Sequence, residues 1–182
     1  MKKRLLFLTG NPGVGKTTVL LRVVEALKAR DCSVGGMLSR EVRMGGTRVG
    51  FEILDLGSSR RGWLAHVSHK SGPQVGRYRV NLEDLDGIGV EAIMRAVESS
   101  DVIVIDEVGP MELFSERFRE AVRRAVQCGK LVVGVVHSKV RDRLIDEMKK
   151  REDAEVYVVT HENRNKLYQT IIEEATDFLR LK

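Results

Sequence analysis

Three glycines, an ammonium and two hydroxyls crowd the segment Gly10-Asn11-Pro12-Gly13-Val14-Gly15-Lys16-Thr17-Thr18. It contains the complete pattern G-x-x-x-x-G-K-[ST], and each residue type in it has a physical task. Gly10, Gly13 and Gly15 let the backbone turn so that successive amide N–H groups converge on an anion. A helix opening near Lys16 adds its positive N-terminal end. Lys16 brings a mobile cation to terminal phosphate oxygens, and the Thr17 hydroxyl is an oxygen ligand suited to Mg²⁺. The chemistry implied is the capture of a polyphosphate together with a divalent counter-ion.

A second segment, Val102-Ile103-Val104-Ile105-Asp106-Glu107-Val108-Gly109, ends an apolar run in two adjacent carboxylates. A buried strand tolerates such a charge pair only if a cation meets it. Asp106 is therefore read as the acid that holds the Mg²⁺ ion, through water. Neighbouring side chains on a regular strand point opposite ways. Glu107 is thus expected to aim past the terminal phosphate, where it could orient or deprotonate a water. That division of roles favours hydrolysis over transfer to a second substrate.

Both segments need a scaffold that brings two strand ends together. The sequence predicts a buried strand over Arg4 to Thr9, the glycine-rich turn, then a helix from about Lys16 to Arg30 with Leu20, Val23, Val24 and Leu27 on one face. Val34–Val42 and Thr47–Leu56, joined by Met44-Gly45-Gly46, predict an antiparallel hairpin inserted at about 34–56. Irregular chain follows to Asn81, with short strands near Trp63–Val67 and Tyr78–Val80 and both aromatics in packing roles. A helix near Gly89–Ser99 leads to the strand Val102–Ile105. Glu112–Gln127 is predicted as one amphipathic helix with Phe114, Phe118, Ala121, Val122 and Ala125 inward. Leu131–Val136 and Val156–Val159 read as strands. Arg143–Lys150 and Lys166–Leu179 read as helices, the last with Leu167, Ile171, Ala175 and Phe178 inward. Continuously apolar strands alternating with helices predict an α/β domain, a mostly parallel sheet covered on both faces. Residues 1–182 are expected to form one domain.

Composition narrows the class. The chain has 182 residues, 42% hydrophobic and 31% charged, with a formal net charge of +5. No apolar run approaches the roughly 20 residues of a membrane span. The basic, briefly apolar start lacks a cleavage site, so a cytoplasmic location is expected. Cys32 and Cys128 fit neither a disulfide framework nor a metal site. Sparse amides beside plentiful Lys, Arg and Glu lean towards a thermophile. The basic residues are scattered and do not interleave with aromatics, which weighs against a nucleic-acid partner although the charge alone leaves one open. A monomer is expected.

The pieces FLTGNPGVGKTT, EVRMGGTRVGFEILDL, VGRYRV, DEVGPMELFS and VTHENRN together extend over nearly the whole chain. In them the sequence resembles the thermophilic nucleoside-triphosphatases and their relative, the cancer-related nucleoside-triphosphatase. The phosphate loop is common to many families; DEVGPMELFS and the glycine-rich hairpin are far more specific. The resemblance implies a three-layer P-loop NTPase of RecA-like fold. It also implies slow, Mg²⁺-dependent hydrolysis of nucleoside triphosphates with broad tolerance of the base. It assigns Gly10–Thr17 to the phosphates, Asp106 and Glu107 to metal and water, and Val102–Gly109 to a second nucleotide-facing segment. The segment around His137–Arg143 departs most from the family pattern.

Other site residues follow from position at the carboxyl edge of a parallel sheet, where ligands bind. Arg141 and Arg143 could neutralise charge at the terminal phosphate, with Arg40 and Arg43 of the hairpin as rivals. Asn163 and Arg164 could edge or stack on the base; the alternative for Asn163 is helix capping. His137 could sense the terminal phosphate or simply close a turn. A nucleotide or nucleoside kinase shares the phosphate loop, and a nucleic-acid-linked ATPase would suit the charge. Glu107 favours the hydrolase over the kinase; the missing basic-aromatic surface and the small size weigh against the nucleic-acid-linked ATPase.

Overall fold

The computed structural model describes residues 1–180. Chain order gives β1 (Leu5–Thr9), α1 (Lys16–Lys28), β2 (Val34–Met44), β3 (Thr47–Asp55), β4 (Arg61–His66), β5 (Gln74–Val75) and β6 (Tyr78–Val80). Next come α2 (Leu82–Asp84), a π-helical stretch Leu85–Val90, α3 (Glu91–Ser99), β7 (Val102–Val108) and a 3₁₀ turn Glu112–Phe114. The chain continues with α4 (Glu116–Gln127), β8 (Leu131–Val136), α5 (Arg143–Lys149), β9 (Ala154–Val158) and α6 (Arg164–Leu179). One sheet runs through all nine described strands in the order β5-β6-β4-β3-β2-β7-β8-β1-β9.

Helices lie on both faces, as a three-layer α/β fold requires. Val19, Leu20, Val23, Val24 and Leu27 of α1 join Ile171 and Ala175 of α6 in one apolar layer. Phe118, Ala121, Val122 and Ala125 of α4 pack with Ile93 of α3 and Ile145 of α5 in the other. Each such large side chain withdrawn from water contributes about 1.5–3 kcal/mol. The central strands read LLFLT and LVVGVV and are buried at every position. That is why periodicity of two is absent from them.

The sheet is mixed. From β2 to β9 the neighbours run parallel, whereas β2-β3-β4-β6-β5 run antiparallel. The predicted hairpin is real, but it is not an insertion hung on the crossover. Val34–Met37 pair parallel with Val102–Ile105, so the first arm of the hairpin begins as a core strand. Gly36 makes this possible: with φ at +117°, a Cβ there would lie 2.0 Å from the Val104 carbonyl oxygen.

Two packing expectations hold only in part. Ser115 accepts the Phe118 N–H at 3.0 Å and starts α4 there, which splits the single predicted helix. Phe114 consequently lies outside the helix and is 49% exposed. In α6, Ile171 and Ala175 are buried as expected, while Leu167 and Phe178 are only partly covered. Tyr78 packs as predicted, edge-on against Phe51. Trp63 stays part-exposed beside His66.

Candidate active site

The loop after β1 turns through positive φ at Gly10, Gly13 and Gly15, at 148°, 75° and 105°. Gly15 is the N-cap of α1 and carries no side chain to block the helix end. Lys16 Nζ donates to the carbonyls of Gly10 at 2.8 Å and Asn11 at 2.9 Å, which poises the ammonium over the loop. Thr17 faces the other way. Its Oγ1 donates to Asp106 Oδ2 at 3.1 Å, joining the tip of β1 to the tip of β7 through one hydrogen bond.

Asp106 is 2% exposed. Burial first, then the charge of Glu107, push its carboxyl up to about 7, against the pull of Thr17, Lys16 and the Ser39 N–H. Glu107 is raised mainly by burial, with Lys16 opposing. The strand is not regular here. Asp106 pairs with Val135 but Val108 with Val136, so Glu107 sits in a bulge. The two acids therefore line one cavity, and the opposite-face rule used for the sequence does not apply. The Asp106–Glu107 peptide is cis.

That cavity, of about 560 Å³, is lined by Gly10, Pro12, Gly13, Gly15, Lys16, Thr17 and Thr18 on one side. Asp106, Glu107, Pro110, Met111, Glu112 and His137 form its floor, and Ser39, Arg40, Glu41, Arg48, Phe51, Leu64 and Val75 its far wall. Asn11 is exposed on the loop, and Val14 is buried beneath it.

Several predicted residues stand elsewhere. Val102, Ile103, Val104 and Ile105 are at most 1% exposed, and Val108 is likewise sealed. They belong to the scaffold that carries Asp106, because a strand flanked on both sides and covered on both faces shows no side chain to a ligand. Gly109 lies directly under the Glu107 and Glu112 carboxylates. Arg143 pairs with Glu147 and Arg43 with the wall residue Glu41; neither arginine lines the cavity, and Arg141 does not line it either. Arg40 does line it while paired with Glu52 at 2.6 Å.

The segment after β9 touches the loop from its other flank. Arg164 Nη1 donates to the Val14 carbonyl at 3.3 Å. Asn163 holds the N-cap position of α6, as the alternative reading expected, but its side chain does not bond the helix; it accepts the Thr160 N–H and donates to the Val158 carbonyl, both at 2.8 Å. His137 Nδ1 accepts the N–H groups of Lys139 and Val140 at 3.2 Å, closing a turn. Burial and then Lys16 hold its imidazole below the usual range.

Two wall residues escaped the sequence reading. Arg48 lies over the rings of Phe51 and Tyr78 at 5.1 and 5.5 Å and donates to the Tyr78 hydroxyl at 2.8 Å. Glu112, 4% exposed, has its carboxyl pushed well above the usual range by burial and by Glu107. An acid at a predicted helix start carries no signal of burial. The break at Ser115, which would have shown it, was missed.

A phosphate-shaped loop at one strand tip, an acid bonded to its threonine from another, and helices on both sheet faces define a P-loop NTPase. The family model described as NTPase matches residues 5–172. The chain is 43% identical to the nucleoside-triphosphatase THEP1 of Thermofilum pendens, over 98% of this chain and 99% of that one. It is also 43% identical to the protein of that name from Methanothermobacter thermautotrophicus, over 95% and 97%. Among solved structures it superposes on THEP1 from Aquifex aeolicus with a TM-score of 0.82 at 31% identity, covering 95% and 98%. The human cancer-related nucleoside triphosphatase gives 0.79 at 38% identity, covering 93% and 96%. The chain belongs to the THEP1 nucleoside-triphosphatase family.

Proposed function

We propose that this protein performs Mg²⁺-dependent hydrolysis of nucleoside triphosphates to diphosphates and phosphate, with little regard for the base. The observation that carries this is the Thr17–Asp106 bond beside Glu107 in one cavity. A hydroxyl and a carboxylate are oxygen donors suited to a small, hard divalent cation. Among the described residues no cluster of three or more His, Cys, Asp or Glu forms a closed metal cage. That agrees with an ion held largely by phosphate and water. When bound, Mg²⁺ supplies neutralisation of charge on the terminal phosphate oxygens.

The chain's own residues do the rest. The amides of Gly13–Thr17 and the end of α1 bind the phosphates. Lys16 leaves its two carbonyls to meet the terminal oxygens. Glu107 receives a proton from the attacking water as its oxygen bonds to the terminal phosphorus, and the diphosphate leaves with the bridging oxygen. Base tolerance is supported by Asn163, whose amide is committed at both ends to its own turn. We propose a cytoplasmic monomer, as expected for a small-molecule hydrolase of this size. Among the described residues no helix is long and apolar enough to cross a membrane.

The test is Glu107→Gln. It should bind Mg²⁺–nucleotide normally and turn over on the order of a hundredfold more slowly. Normal turnover would remove Glu107 from the mechanism. A panel of purine and pyrimidine triphosphates should give rates within about tenfold of one another. A second reading, transfer to an acceptor, draws on one observation. The cavity continues past Glu107 to Arg48, Phe51, Leu64 and Val75, further than a water requires. Diphosphate formed without matching free phosphate, in the presence of nucleosides or nucleoside monophosphates, would establish it.

A further inference from the structure

Glu112 is the one buried acid in the cavity that the hydrolytic scheme does not use. It opens the 3₁₀ turn after Gly109-Pro110-Met111 and is 4% exposed. A Cβ built on Gly109 would lie 2.5 Å from Glu107 Oε1 and 3.2 Å from Glu112 Oε2. The two carboxyl groups thus converge on one bare α-carbon. Glycine leaves that gap open, and any larger residue would force the two acids apart.

The charged groups around Glu112 leave it without a cation. From β7 it faces Glu107 and, further off, Asp106. From α4, Arg119 is committed to the Leu113 carbonyl and to Asp142. Lys16 of α1 acts on Asp106, Glu107 and His137, and His137 closes its own turn at the end of β8. The Glu112 carboxyl is met by the backbone N–H groups of Gly109 and of Glu112 itself. Burial and then Glu107 push the Glu112 carboxyl well above its ordinary range, while at Glu107 Lys16 opposes the rise that burial causes.

Resting on the hydrolytic reading of Glu107, we propose that Glu112 is a positioning residue: buried behind Gly109, it backs Glu107 across that bare α-carbon and holds its carboxylate towards the cavity. Glutamine should replace it. Its amide keeps the length and a polar head of the same shape. Alanine should not, because a base displaced by about an ångström loses on the order of a hundredfold in rate.

The experiment compares Glu112→Gln, Glu112→Ala and Glu107→Gln in the full chain. It reads Mg²⁺–ATP hydrolysis across the pH profile, calorimetric binding of Mg²⁺ with a non-hydrolysable ATP analogue, and melting temperature. Glu112→Gln should keep kcat within about threefold and leave the acid limb of the profile in place. Glu112→Ala should lose about tenfold to a hundredfold in kcat with KM and analogue binding unchanged. Should the alanine variant not fold, Glu112→Asp, which withdraws the acid by one methylene, should show the smaller part of the same kcat loss. A glutamine variant as slow as the alanine one, with binding intact, overturns the proposal, because charge rather than position would then matter. So does an alanine or aspartate variant with normal kcat. If those results come with a slow Glu107→Gln, this inference alone fails; if Glu107→Gln is itself normal, the parent reading fails and takes this one with it.

Discussion

On one side of β2, strands β1, β7 and β8 run parallel and are buried almost throughout. On the other, β3 and β4 run antiparallel and mix buried with exposed positions. Both halves reach the same cavity, but with different materials. The parallel half delivers backbone amides, Lys16, Thr17, Asp106 and Glu107 from strand tips that cannot move without disturbing the core. The antiparallel half delivers long, part-exposed side chains: Arg40, paired with Glu52, and Arg48, paired with Glu41 and lying over Phe51. Phosphate chemistry belongs to the rigid half. The shape of the remaining space belongs to the adaptable one.

The comparison is broken most directly at Lys16. Lys16→Ala removes the cation proposed to meet the terminal phosphate and should lower kcat/KM by at least about a hundredfold. Nucleotide binding should weaken too, as read by calorimetry, with melting temperature held. A variant that kept its turnover would mean that the parallel half does not hold the chemistry.

The seam between the halves is next. Gly36→Ala places a Cβ against the Val104 carbonyl in a backbone conformation that L-residues avoid. We expect at least about 2 kcal/mol of destabilisation in denaturant unfolding. If the halves were independent, the parallel strands would keep their amide-exchange protection while β3 and β4 lost theirs. We expect both to lose it together.

The difference between the halves also explains what was legible. Strand tips of the parallel half are local: glycine spacing gives the loop, and an apolar run ending in Asp106 and Glu107 gives the second tip. That they meet depends on strand order, which no local pattern encodes; resemblance supplied it. The antiparallel half was read as a hairpin because alternation at Val49, Phe51 and Ile53 is visible. Its parallel pairing through Val34–Met37 was not, since the run Val-Gly-Gly-Met has no periodicity to interpret. Arg48 gave no signal: it becomes a wall residue only once β3 and β6 bring the Phe51 and Tyr78 rings beneath it. The assignment of Val102–Ile105 to the ligand failed for the opposite reason, because a motif read as a string does not show which residues are sealed.

Protonation sharpens the contrast. The Asp106 carboxyl is raised from 3.8 to about 7, chiefly by burial and then by Glu107. A group raised on folding favours the folded state while protonated. That contribution is complete below the ordinary carboxylate value and is lost as pH rises through about 7. Metal-free protein should therefore melt lower at pH 8 than at pH 5, by an amount that Asp106→Asn reduces and that Glu112 and Glu107, raised in the same direction, share. On the proposed role of Asp106 at the metal, Mg²⁺–nucleotide binding would displace this proton. Calorimetry slightly below neutral pH, in buffers of different ionisation enthalpy, should show proton release from the wild type and little from Asp106→Asn. Equal release from both would move the metal site off Asp106.

The smallest effects separate two arginines that a sequence treats alike. Arg48→Ala removes the contact to Phe51 and the bond to the Tyr78 hydroxyl, worth about 1 kcal/mol together, and opens the far wall. KM should rise several-fold while kcat stays within about threefold, as suits a residue that shapes space without touching the transition state. A kcat loss near a hundredfold would instead make the antiparallel half part of the chemistry and favour an acceptor or an arginine finger there. Arg143, in contrast, has a side chain 92% exposed and meets only Glu147 one helical turn on. Such a pair is screened by solvent and fixes nothing near the cavity. Arg143→Ala should leave melting temperature, KM and kcat unchanged. A measurable loss of kcat there would show that the loop after β8 closes over the phosphates during turnover, and the division of labour between the two halves would have to include a third, moving part.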